Sequence, residues 1–143
     1  MKRQSGFSLV EIMVVVAIIA VVTAIALPSY RDYIIKSRLT EAFSSLASAH
    51  ASAEQFWSNN RTYAGFSTAT GLPANTANFT FVLSNDTAST FTITATAAAD
   101  PISGAVYTID QNGNRATTSA PTTWGGGSST TCWINGKGGA CVQ

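Results

Sequence analysis

Residues 7–28, FSLVEIMVVVAIIAVVTAIALP, run from Phe7 to Pro28 with Glu11 as their only ionisable side chain. At about 1.5 Å per residue, a helix of this length is just able to cross a hydrocarbon core. A carboxylate inside that core costs on the order of a few kcal/mol unless something pairs with it. Directly upstream stands MKRQSG, short, basic and hydrophilic. A positive head before an apolar run suggests export, yet a secretory signal peptide fits badly. The head is only six residues, and no A-x-A-like cleavage site follows the run. The apolar segment is therefore expected to stay in the mature chain.

These residues resemble the N-terminus of type IV pilins and their pseudopilin relatives. In that family a short basic leader ends in glycine, cleavage precedes a phenylalanine, and a glutamate is fifth in the mature chain. Gly6, Phe7, Glu11, the apolar run and Pro28 follow that pattern. The resemblance implies that a prepilin peptidase cuts between Gly6 and Phe7 and that Phe7 becomes N-methylated. It also implies that Glu11 guides subunit addition on an inner-membrane assembly platform. One departure is Ala20, which stands where many members carry a helix-breaking glycine. Alanine is the best helix former, so melting of the helix there is disfavoured.

Glu11 also carries an argument from its own chemistry. Without residues 1–6, no basic residue lies within two turns of it along the helix. Cleavage would create an α-amine on Phe7, and a neighbouring subunit's amine could neutralise Glu11 in apolar surroundings. A costly buried charge would then mark the register of assembly.

The chain has 143 residues, enough for one domain of moderate core. Loss of Lys2 and Arg3 leaves six basic against seven acidic side chains, so bulk charge gives no reason to expect nucleic-acid binding. Cys132 and Cys141 are the only cysteines. In an exported chain this even count reads as a disulfide, with free thiols or half a metal site as alternatives.

After Pro28, positions Leu39, Phe43, Leu46, His50, Ala53 and Trp57 recur at helical spacing, and Ala42, Ala49 and Phe56 widen the same face. Pro28 is expected to kink the helix rather than end it. Tyr30, Arg31, Asp32, Tyr33, Lys36 and Arg38 suit the passage from bilayer to water, and Asn59 and Asn60 are stop residues. A helix from Phe7 to Asn59 would be roughly 80 Å long, against a radius of gyration of about 14 Å for a compact chain of this size. Its first half needs a membrane or other subunits around it.

Residues 60–78 read as a polar surface loop. Alternation follows: Phe79, Phe81 and Leu83; Phe91, Ile93, Ala95 and Ala97; Ala105, Tyr107 and Ile109. Asn85-Asp86, Asp100-Pro101 and Asn112-Gly113 are turn signals, and a further strand starts near Arg115. The expected fold is α+β, with the C-terminal half of one long helix packed on a three- to four-stranded antiparallel sheet. Its parts are a leader (1–6), an apolar helix (7–28), an amphipathic half of the same helix (29–59) and a sheet head with a glycine-rich tail (60–143). The tail, from Trp124 on, is expected to depend on its cysteines.

Nothing supports catalysis, a cofactor or a metal. His50, the only histidine, falls on the apolar stripe and reads as a packed, hydrogen-bonded residue. No phosphate-binding glycine loop, nucleophile elbow or His/Cys cluster is present. Asp110, Asn112 and Asn114 have calcium-loop spacing, but Gly113 is misplaced and Pro121 stands where the closing glutamate belongs, so a hairpin turn explains them better. The sequons at Asn60, Asn78 and Asn85 arise freely in an Asn- and Thr-rich chain. Trp57, Trp124 and Trp133 read as packing groups rather than ligand platforms.

The first functional reading is a type IV pilus subunit serving pilus biogenesis, twitching motility and adhesion, first in the inner membrane and then in the extracellular filament. FTFVLS, TFTITATA, YTIDQNGNR and CWINGKGGAC look most similar to E-type minor pilins. The second is a minor pilin that captures DNA, for which the head offers only Arg61, Arg115 and Lys137, opposed by Asp86, Asp100 and Asp110. The third, a secretion pseudopilin, is disfavoured by the C-terminal cysteine pair.

Overall fold

The computed structural model describes residues 7–142; the leader expected at 1–6, with Gly6, lies outside the described residues. Helix α1 runs from Leu9 to Asn60 and continues through Pro28. It starts two residues later than expected because Ser8 caps it. The Ser8 hydroxyl accepts the Glu11 N–H at 3.3 Å, and the Ser8 carbonyl accepts the Ile12 N–H at 3.3 Å. The first bond satisfies a donor that a helix start leaves without an intrahelical partner, and the second is the first i→i−4 bond of the helix. At the other end Arg61 takes a left-handed φ of 57°. The chain divides into two compact units, residues 1–34 and 35–143.

The first unit, as described, is the N-terminal stretch of α1, and its large apolar side chains from Phe7 to Leu27 stand exposed. The second unit holds the core. Strands β1 (Phe79–Ser84), β2 (Thr92–Ala97), β3 (Val106–Asp110) and β4 (Arg115–Ser119) form an antiparallel meander in that order. Pairing of Phe81 with Ala95 and of Ala95 with Tyr107 puts these residues on one face. That face packs on α1.

The residues of α1 that meet the sheet follow most of the expected stripe, with its large rings moved to the flanks. The buried line is Ile35, Leu39, Ala42, Leu46, Ala49 and Ala53. Phe43, Phe56 and Trp57, placed on the same stripe by spacing alone, sit only partly buried beside it. Alanines at the centre let helix and sheet approach closely, and the large rings then fill the flanks. Phe43 meets Tyr107 edge-on at 4.9 Å and stacks on Trp133 at 5.1 Å. His50 also differs. Its ring packs 5.9 Å from Phe91, but its buried Nε2 has no hydrogen-bond partner among the described residues. What faces it is the Phe91 ring and the turn at Gly113.

The loop after α1 is not simply a surface loop. Tyr63 and Phe66 insert into the core. Two glutamates of α1 clasp the loop: Glu54 accepts the Tyr63 hydroxyl at 2.7 Å, and Glu41 accepts the Asn78 amide at 2.7 Å. Burial, then the hydrogen bond to Glu54 and its charge, push the Tyr63 pKa up from 10.0 to about 12; burial raises Tyr107 as well. A phenol raised on folding contributes stability that is full below pH 10.0 and is lost as pH climbs toward about 12. Melting temperature should therefore fall across that window, and Tyr63→Phe should fall less steeply. Equal slopes would contradict the assignment.

The tail is better anchored than its glycines suggest. Strands β5 (Trp133–Ile134) and β6 (Cys141–Val142) pair antiparallel, and the Cys132–Cys141 disulfide joins Cα atoms 5.7 Å apart. Trp133 is 1% exposed and donates its indole N–H to the Thr108 carbonyl at 2.9 Å. Thr117, buried in β4, donates its hydroxyl to the Cys132 carbonyl and accepts the Ile134 N–H, each at 2.9 Å. The Tyr107 hydroxyl donates to the Ile134 carbonyl at 2.8 Å. The tail thus supplies core residues of its own.

Candidate functional site

Glu11 is the third residue of α1, and Ser8 at its N-cap gives the S-x-x-E pattern of a capping box. The carboxylate there sits at the positive end of the helix dipole, a favourable place for negative charge. Phe7 precedes the helix and is 81% exposed. Beyond Glu11, Val14, Ala17, Ile18, Val21 and Val22 line a shallow apolar groove along the helix. By length and composition the helix is able to cross a membrane, and its apolar window is unburied by the rest of the chain. The Ser8 cap escaped the reading of the sequence, although its S-x-x-E signal lies inside the stretch that decided the fold.

The remaining candidates fall in the second unit and serve mostly to build it. Asp110 closes the β3–β4 turn: one carboxylate oxygen accepts the N–H groups of Asn112 and Asn114 at 2.9 Å each, and the other accepts the Asn114 amide at 2.8 Å. Gly113 takes φ 75° there, so these residues make the expected hairpin. No group of three or more His, Cys, Asp or Glu side chains comes together to hold a metal among the described residues. Of the sequons, Asn60 bonds the Phe56 carbonyl at 2.9 Å, Asn78 is held by Glu41, and Asn85 is exposed at φ 53°.

Two arginines lie over tryptophans. The Arg61 guanidinium is 5.3 Å from the Trp57 ring and that of Arg115 is 4.7 Å from the Trp133 ring. Both keep N–H groups for other acceptors. Arg38 donates to the Asp100 carbonyl at 2.8 Å. Lys137 lies in a 3-10 turn of the tail, and Trp124 packs partly buried against the core.

Comparison with known proteins agrees with this arrangement. Residues 1–27 match a family model described as the prokaryotic N-terminal methylation motif. Residues 28–111 match one described as type IV minor pilin ComP, DNA uptake sequence receptor. Among curated proteins, fimbrial protein EcpC of Eikenella corrodens is 37% identical over 71 residues, covering 50% of this chain and 46% of that protein. A fimbrial protein of Moraxella nonliquefaciens is 54% identical over 43 residues, covering 30% of this chain and 28% of that one. A Pseudomonas aeruginosa fimbrial protein is 46% identical over 54 residues, covering 38% and 35%. The matches span less than half the length of these relatives. The crystal structure of the non-core minor pilin PilV of Neisseria meningitidis superposes with a TM-score of 0.53 at 21% identity, covering 61% of this chain and 89% of that one, which concerns the fold. A helix left bare at its start, with its second half backing an antiparallel meander, defines a type IV pilin. More narrowly, the chain belongs to the family of type IV minor pilins whose model spans residues 28–111.

Proposed function

We propose that this chain is a structural subunit of a type IV pilus. It is held in the inner membrane by residues 7–28, cut between Gly6 and Phe7 by prepilin peptidase, methylated on Phe7, and added to a filament by an assembly platform. In this reading Glu11 pairs with the Phe7 amine of a neighbouring subunit, and Pro28 bends the helix. Other pilins are its partners, and adhesion and twitching motility are what the filament serves. The observation that carries the proposal is the bare helix: large apolar residues from Phe7 to Leu27 are exposed around one carboxylate, which suits lipid first and other helices afterwards. The test is fractionation of a pilus-bearing bacterium that expresses the chain. Recovery with sheared filaments supports the proposal, and confinement to membranes with intact pili present overturns it.

A second reading, capture of DNA, is favoured by the description of the matching family and by the two arginines seated on tryptophan rings. Phosphate contacts make such binding salt-dependent. Binding of purified chain to duplex DNA should weaken as salt rises, and Arg61→Ala and Arg115→Ala should each bind more weakly at low salt with a shallower salt dependence than the unaltered chain. The absence of binding at low salt would remove this reading and leave the structural one intact.

A further inference from the structure

We propose that Asn135 is a site of spontaneous deamidation, a modification that gives the tail one new negative charge. The Gly136 nitrogen attacks the side-chain carbonyl carbon of Asn135. A new C–N bond closes a cyclic imide, the bond to the side-chain nitrogen breaks, and that nitrogen leaves as ammonia with the Gly136 proton. One water then opens the imide to aspartate or isoaspartate, so an amide and a water become a carboxylate and ammonium. A glycine after the asparagine favours the step, because it leaves the attacking nitrogen uncrowded and the backbone free to turn.

The chain has two Asn-Gly pairs, Asn112-Gly113 and Asn135-Gly136, and the fold treats them differently. The first is held back by its turn. The Gly113 N–H donates to the Asp110 carbonyl at 3.0 Å, and the Asn112 N–H donates to the Asp110 carboxylate at 2.9 Å. Attack there must first break a hydrogen bond. At the second pair the Asn135 N–H donates to the Ala140 carbonyl at 2.8 Å, which fixes the backbone just ahead of the reacting atoms. The Gly136 N–H has no acceptor among the described residues, although the residue is buried. No hydrogen bond is lost when it turns on Asn135. Lys36 of α1 reaches the same place. Its Cε lies 3.9 Å from the point where a Cβ on residue 136 would stand. A cation there favours the negative charge that builds on the attacked oxygen as the ring closes. Asn135 is half-buried rather than sealed, so water reaches the imide. The step needs no enzyme, so the new carboxylate accumulates with the age of the chain and offsets Lys137, two residues on.

The experiment incubates the purified full-length chain in detergent at mildly alkaline pH. It follows both asparagines by peptide mass, reading the gain when NH2 gives way to OH, and by isoaspartate content. In the folded chain Asn135 should convert about tenfold faster than Asn112, the size of the Gly113 hydrogen bond. In reduced, denatured chain the two should convert at similar rates, because only the fold tells them apart. Lys36→Met, which keeps the apolar stem and removes the charge, should slow Asn135 about threefold, the scale of an exposed charge interaction, and leave Asn112 unchanged. Asn135→Gln should remove the first acidic form to appear on isoelectric focusing, since its longer side chain must close a larger, slower ring. Asn135 that converts no faster than Asn112 in the folded chain, or at a rate that Lys36→Met leaves unchanged, overturns the proposal.

Discussion

Glu11→Ala is expected to insert and be cleaved normally, yet to drop about a hundredfold in filament incorporation in cells that lack the unaltered chain. Removing a carboxylate from the apolar segment lowers the cost of placing that segment in lipid, so insertion does not suffer. Assembly does. Breaking one partner out of a buried ion pair costs roughly 3–5 kcal/mol, because the other charge is left uncompensated. On the proposed pairing the stranded charge is the neighbour's Phe7 amine, and about two orders of magnitude in incorporation correspond to the lower end of that range. If Glu11 instead serves only recognition by the peptidase, uncleaved precursor accumulates. Cleavage state and filament content, measured on the same cells, separate the two accounts. Normal incorporation of fully cleaved Glu11→Ala would end the pairing mechanism.

The largest expected effect on stability lies at Trp133. Its ring is 1% exposed, stacks on Phe43, lies under Arg115 and bonds Thr108 through its indole N–H. Trp133→Ala should cost about 3–5 kcal/mol, the range for emptying a buried aromatic site, and the Thr108 carbonyl loses its donor as well. Replacing Cys132 and Cys141 by serine should cost less, about 2–3 kcal/mol for a cross-link closing so short a loop. Denaturant unfolding of the three chains in the same detergent gives the order. A costlier cysteine replacement would mean that the staple, rather than the ring, holds the tail.

That contrast shows where reading the sequence reached its limit. The strands were legible because alternation is local: Phe79 and Phe81, Ile93 and Ala95, and Tyr107 and Ile109 each share a face by counting alone, and all are buried. Asn112-Gly113 likewise announced its hairpin. Trp133 carried no such mark, since a two-residue strand in a glycine-rich tail has no period, and its burial comes from Phe43, ninety residues away. Trp133 was legible only as a packing aromatic, without its partners, and Tyr63 and Phe66 were read as surface loop because no period marks them either. On α1 the helical spacing was right, but the weight was misplaced. Counting favours large residues such as Phe43 and Trp57, whereas a sheet pressed against a helix selects the small ones, Ala42 and Ala49, for the line of closest approach. At the candidate site, Glu11 stood out by its chemistry. Ser8 did not, because a serine one residue past a supposed helix start looks like filler until its hydroxyl is seen on the Glu11 N–H.

The most direct test of the account is the intact mass of this chain recovered from sheared filaments. The expected mass is that of residues 7–143 with one added methyl group and two hydrogens missing for the Cys132–Cys141 bridge. A filament-borne chain that retains residues 1–6, or one that begins anywhere other than Phe7, would contradict it.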